Sequence, residues 1–311
     1  MRYRPLGQTG LSVSVLGFGG SSLGSVFKPI DEDAGVRAVH TALDHGINLI
    51  DTAPFYGLTR AEVVLGRALR EIRRDRYLLA TKVGRYGYKL PDFDFTAARV
   101  TRSVDESLQR LGVEHIDFIQ VHDMEFGDLQ QIIHETLPAL RRVQASGKVR
   151  FVGITGLPLR LFREVMDVVP VDQVQSYCHY CLNDQALADH LPYFKEKGVA
   201  VFNAAPMAMR LLSVEGPPSW HPAPAALKAR CAEAARLCAA RGADLSTLAL
   251  QFAVAHPDLP TTIVGTASPD RILQNIRDAA APMDHDLLRS VLDVLRPVSN
   301  VTWPSGRPEN N

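Results

Sequence analysis

The sequence is poor in cysteine and tryptophan, carries no excess charge of either sign, and has no long apolar run. Four cysteines in 311 residues do not make a disulfide framework. Cys231 and Cys238 fall on one predicted helix, roughly 10 Å apart along its axis, which is too far to bond. Cys178 and Cys181 form a C-x-x-C with His179 inside it, but neither a second ligand pair nor a thioredoxin-like context goes with it. Reduced, partly buried thiols and no metal site are expected. Lys+Arg and Asp+Glu both number 34, so no global field favours nucleic acid or anionic membrane. No stretch is long and apolar enough to span a bilayer, and no charged-then-apolar leader follows Met1. A cytoplasmic enzyme is the expectation.

What the chain does have is alternation. After an opening hairpin (3–6 with 12–16), strands are predicted at 15–19, 48–51, 77–82, 116–122, 149–155, 173–177, 199–204 and 261–264. Helical periodicity follows each, at 31–45 with Asp31 as N-cap, then at 60–71, 97–111, 129–146, 159–168, 185–197, 246–256 and 269–278. Such β-then-α units point to a parallel sheet covered by helices. The simplest closure is an α/β fold of the (β/α)8 TIM-barrel type, one domain over 1–311, with 46% hydrophobic residues to fill it. Three stretches resist the pattern: 85–95, 208–226 and the tail 297–311. The first two leave from the C-terminal mouth, where long loops carry function. The tail either covers that mouth or is frayed.

Four residues fall where predicted strands end: Asp51, Tyr56 in the loop just beyond it, Lys82 and His122. In such a barrel these positions converge on one mouth. A phenol is a poor acid or base at neutral pH by itself. A neighbouring ammonium lowers its pKa, and a carboxylate holds the ammonium charged; Lys82 and Asp51 supply that pair. Tyr56 then exchanges a proton with a hydroxyl or carbonyl oxygen, which His122 binds, orients or shares a proton with. The matching redox step is hydride transfer, which needs a nicotinamide.

The segments Gly46-Ile-Asn-Leu-Ile-Asp51-Thr-Ala with Tyr56-Gly57, Ala80-Thr-Lys82, Asp117-Phe-Ile-Gln-Val-His122 and Gly147-Lys-Val-Arg-Phe-Val-Gly153 resemble the aldo-keto reductase family over nearly the whole chain. The resemblance implies a barrel binding NAD(P) in extended form without a Rossmann domain, with Asp51, Tyr56, Lys82 and His122 as the catalytic set. Val104-Asp-Glu-Ser-Leu-Gln-Arg-Leu111, His122-Asp-Met-Glu-Phe126, Cys178-His-Tyr180 with Asn183-Asp184, and Gly216-Pro-Pro-Ser-Trp-His-Pro222 narrow it to sugar dehydrogenases. The reaction so implied is oxidation of the anomeric hydroxyl of an aldose, L-galactose first, to its lactone, with Tyr56 as general base. L-fucose, D-arabinose and pyridoxal are alternative substrates, and a non-catalytic nucleotide-binding subunit is the rival from another class.

By the same resemblance Thr155 and Gln175 hold the nicotinamide carboxamide, and Ala205, Pro206 and Met207 follow the pyrophosphate. Ala205 replaces the common serine, and Arg210 stands where glycine is usual, either on phosphate or solvated. Gly265, Thr266, Ser268, Arg271 and Asn275 match the adenosine-phosphate segment, at a predicted helix N-terminus suited to anions. Gly265 stands where NADP-dependent members often carry lysine, which favours NAD over NADP; Arg271 either pairs with a phosphate or stacks on adenine. Tyr86, His179, Trp220 and Trp303 are the candidate substrate contacts. A monomer or homodimer is expected.

Overall fold

The computed structural model describes residues 1–26 and 28–311. Two antiparallel strands, β1 (Tyr3–Pro5) and β2 (Ser12–Ser14), form the opening hairpin. Eight parallel strands follow and close into a barrel. They are β3 (Leu16–Gly19), β4 (Leu49–Asp51), β5 (Leu78–Val83), β6 (Ile116–Val121), β7 (Val149–Gly156), β8 (Gln173–Tyr177), β9 (Ala200–Ala204) and β10 (Thr261–Gly265), with β10 pairing back onto β3. Closure leaves the barrel without an unpaired edge.

The outer ring holds α1 (Glu32–Asp44), α2 (Arg60–Leu69), α3 (Ala97–Leu111), α4 (Leu129–Gln131), α5 (Leu137–Ala145), α6 (Leu159–Met166) and α7 (Leu187–Glu196). It continues with α8 (Ala225–Ala240), α9 (Leu245–Ala255), α10 (Pro269–Ala280) and α11 (His285–Leu295). Local sequence sets the ends. The Asp31 carboxylate caps α1 by accepting from the Asp33 N–H at 3.0 Å, and α3 stops at Gly112, whose φ of 68° suits glycine.

Two departures from the expected pattern have physical causes. The helix expected at 129–146 is interrupted by a π-helical turn over Ile132–Thr136. Pro138 follows at the start of α5, and its missing N–H cannot continue an ordinary helical ladder there. Helices α8 and α11 lie outside the eight-unit pattern and pack on each other; no strand precedes α11 after α10, so alternation gave no cue to it.

Three apolar clusters hold the molecule together. Inside the barrel, Leu49, Ala80, Phe118, Phe202 and Ile263 pack with Leu6 and Val13, so the hairpin plugs the floor. Between strands and helices lies the largest cluster. A third joins α8, α11, the loop before α8 and Trp303 of the tail. Among the described residues no helix is long and apolar enough to cross a membrane, and no group of His, Cys, Asp or Glu is placed to hold a metal ion. All four cysteines are free and buried.

Candidate active site

The barrel mouth gathers the four strand-end residues. Lys82 Nζ donates to both Asp51 carboxylate oxygens at 2.7 Å and to the Thr52 carbonyl at 2.8 Å. The two side chains are 1% and 4% exposed. Gln120 on β6 and Gln175 on β8 turn their amide nitrogens to the same carboxylate, at 3.4 and 3.5 Å. Tyr56 is half-buried, with Lys82 Nζ 5.2 Å from its ring centroid. The His122 ring stands edge-on to Tyr56, centroids 5.7 Å apart and planes at 89°.

The position of Tyr56 is set by two glycines. A Cβ on Gly57 (φ 64°) would lie 2.1 Å from the Gly24 carbonyl oxygen, and one on Gly24 would lie 2.5 Å from the Tyr56 carbonyl carbon and oxygen. Only glycine at both places lets the short helical turn after β3 press against the Tyr56 backbone.

Charge at the mouth is arranged by burial. Burial pushes the Asp51 carboxyl up, against the opposing pull of Lys82 and the two glutamines. Burial also works against the Lys82 ammonium, yet Asp51 and Tyr56 outweigh it and hold the amine above its ordinary value. Tyr56 departs from the sequence expectation. Burial raises its phenol, as do Asp51 and Asp123, and Lys82 only partly offsets them. The phenol is therefore protonated at neutral pH. Burial pulls His122 down to about 3, leaving it neutral; its Nδ1 is buried without a partner.

The cofactor candidates line the strand ends beside this group. Thr155 and Gln175 face each other across the β7–β8 ladder. Thr155 Oγ1 accepts from the Asp123 N–H at 2.9 Å, and Gln175 Oε1 is buried with no partner. Ser176 Oγ and Asn203 Oδ1 are buried and unpartnered as well. After β9, Ala205, Ala208, Met209 and Arg210 all have left-handed backbone, φ 54°, 45°, 52° and 76°. Pro206 and Met207 lie between them, and Arg210 is exposed. Four such non-glycine residues in six positions are costly, and backbone N–H groups turned this way form anion-binding concavities.

After β10, Thr266 Oγ1 accepts from the Ser268 N–H, and Ser268 caps α10 by accepting from the Arg271 N–H. Arg271 is exposed and Asn275 is buried. A Cβ on Gly265 would lie 3.2 Å from the Gly19 carbonyl oxygen and 3.1 Å from Ser21 Oγ. A side chain at this position would therefore crowd Gly19 of β3 and Ser21 just after it. Orphaned polar atoms, a strained loop of left-handed residues and a capped helix N-terminus fit a nicotinamide dinucleotide. It would be held by Thr155 and Gln175 at one end and by Ser268, Arg271 and Asn275 at the other.

The four substrate candidates do not converge. Tyr86 turns outward: Arg99 of α3 lies 3.6 Å over its ring, and its hydroxyl accepts from the Gly84 N–H. His179 is buried with Nδ1 3.0 Å from Asp184 and Nε2 unpartnered. Trp220 is exposed and stacked with His221. Trp303 is buried with its ring edge-on to His221. Phe55 stands edge-on to both Tyr56 and His122, and Asp123 lies beside His122; Arg85 stacks on Phe55 and pairs with Asp123, and Gln120 reaches Asp51. Gln120 was open to sequence reasoning, since it shares the inward face of β6 two residues before His122. The other three lie in loops without periodicity.

The tail is anchored, not frayed. Ser305 Oγ donates to Glu125 Oε1 at 2.9 Å, Tyr177 meets the same oxygen at 3.2 Å, and Asn310 Nδ2 donates to the Glu125 and Gly127 carbonyls. Burial first, then Asp123, lift the Glu125 carboxyl from 4.5 to about 8. The folded state holds that proton after the unfolded chain has released it, so Glu125 erodes stability as pH climbs from 4.5 to about 8. Glu125→Gln is expected to be more stable than the parent by about 2–4 kcal/mol at pH 9 and equal to it at pH 4, by urea titration. An equal offset at both values would refute the titration.

A closed parallel barrel with Asp, Tyr, Lys and His gathered at its C-terminal mouth defines the class. The chain belongs to the aldo/keto reductase family, whose model matches residues 15–294. It is 46% identical to the L-galactose dehydrogenase of Arabidopsis thaliana, over 99% of this chain and 98% of that one. It is 32% identical to the D-arabinose 1-dehydrogenase of Saccharomyces cerevisiae, over 79% and 76%. An aldo-keto reductase of Bacillus halodurans, solved in a holo form, superposes with a TM-score of 0.79 at 28% identity, over 99% of each chain.

Proposed function

We propose that this protein is an NAD-dependent sugar 1-dehydrogenase that oxidises the anomeric hydroxyl of an aldose, L-galactose first, to its lactone. The observation that carries this reading is end-to-end similarity to the Arabidopsis dehydrogenase. The buried Asp51–Lys82 pair beneath Tyr56 supports the chemistry. A bound nicotinamide supplies the acceptor for the hydride leaving C1. Tyr56 takes the C1 hydroxyl proton, and neutral His122 holds the same oxygen. Lys82, fixed in place by Asp51, stabilises the phenolate. In the reverse direction the protonated Tyr56 donates to the carbonyl. Four buried, reduced thiols suit a cytoplasmic setting.

The test is NADH formation with L-galactose, L-fucose, D-arabinose and pyridoxal. Turnover is expected with L-galactose at the highest kcat/KM, and no turnover with any of the four would favour a nucleotide-binding subunit. With the best sugar, kcat/KM for NAD+ is expected to exceed that for NADP+ by at least about tenfold, since Gly265 offers a 2′-phosphate no charge where a lysine would. A preference for NADP+ would overturn the cofactor assignment.

A further inference from the structure

One carboxylate at the mouth is unexplained by proton or hydride transfer. Asp123 follows His122 directly, is 5% exposed, and has a φ of 49° that few non-glycine residues adopt. Its backbone N–H is tied to Thr155 Oγ1. Its Oδ2 is paired with Arg85 and lies 3.7 Å from His122 Nε2. Its Oδ1 takes no hydrogen bond from any described residue. Burial disfavours its charge, but the His122 ring where protonated and the Arg85 guanidinium outweigh this and keep the carboxyl below its ordinary value. The guanidinium is caged by aromatic rings, 3.6 Å over Phe55, 5.2 Å from Phe93 and 5.5 Å from Phe126. Phe93 and Phe126 stack at 4.5 Å. Arg85 is thereby fixed, and Asp123 is its ion-pair partner.

If His122 and Tyr56 flank the reacting oxygen, as the proposed function requires, Asp123 lies at the next oxygen along. Asp123 Oδ2 lies 3.7 Å from His122 Nε2, so the carboxylate is placed to reach a hydroxyl on the carbon next to one whose oxygen His122 holds. We propose that Asp123 accepts a hydrogen bond from the hydroxyl on the carbon beside the reacting one, and so makes the site selective for α-hydroxylated substrates, with Arg85 as the positioning residue. A site built to receive a hydroxyl disfavours the analogue lacking it, because the carboxylate oxygen that the closed complex takes out of water is then left without that hydrogen bond.

The experiment compares each substrate with its deoxy partner: L-galactose with 2-deoxy-L-galactose in oxidation, and lactaldehyde with propanal in reduction. The parent enzyme is expected to favour the hydroxylated member by about 10–100-fold in kcat/KM. Asp123→Asn keeps the shape and should reduce that ratio. The double variant Asp123→Ala/Arg85→Met, which leaves no unpaired cation, should bring it to within about twofold of unity by raising KM for the hydroxylated member. A parent ratio near one, or an unchanged ratio in the double variant, overturns the proposal. Failure of sugar oxidation with an intact lactaldehyde ratio would sink the sugar assignment and leave Asp123 its role. Inertness toward both pairs would count against both.

Discussion

Tyr56→Phe is expected to lower kcat for sugar oxidation by about 10²–10⁴-fold while NADH binding stays within about threefold of the parent value. The phenol is half-buried at the mouth and is the one group there able to receive a proton from substrate with an ammonium beside it. Its pKa is raised in the free protein, chiefly by burial. Because the base form is needed for oxidation, kcat in the parent enzyme should climb with pH into the alkaline range, and reduction should fall over the same range. Steady-state rates from pH 6 to 10, with fluorescence titration of NADH, test both arms. A Phe variant that retains turnover and the same alkaline limb would remove Tyr56 from the proton path.

Lys82→Met is expected to cost activity and about 3–5 kcal/mol of stability, because it leaves the Asp51 carboxylate buried without its cation. The paired change Asp51→Asn/Lys82→Met removes both charges. It is expected to recover most of that stability, since a buried pair replaced by neutral groups is often neutral in energy. Activity should not return, because no ammonium then stabilises the phenolate. Urea denaturation with unchanged slope measures the first effect, and NADH formation the second. Recovery of activity in the paired variant would mean that Lys82 acts only by filling space.

Much of this was legible in the chain. Strands β6 and β8 and helix α3 fall where periodicity placed them, and β8 and α3 agree to the residue. Asp51, Lys82 and His122 were readable because a barrel strand's end is a fixed place in space, so linear position stands in for location. Legibility failed where neighbours in space are remote in sequence. Tyr86 reads as a mouth aromatic, but Arg99 draws it out against α3. Trp303 reads as a substrate contact, but His221 and the cluster around α8 and α11 bury it. The lowered phenol was an argument from one pair of groups, and burial outweighed that pair.

The sequence by itself determined the eight-unit barrel, the place of the four polar residues, and the family to which the chain belongs. Those follow from periodicity and local motifs, which depend on residues near one another along the chain. Only the tertiary structure decided that Tyr56 is held by two touching glycine backbones, that Glu125 keeps its proton under the tail, and that Arg85 and Asp123 complete the mouth. Each depends on desolvation or on contact between segments distant in sequence, and both are properties of the packed chain alone.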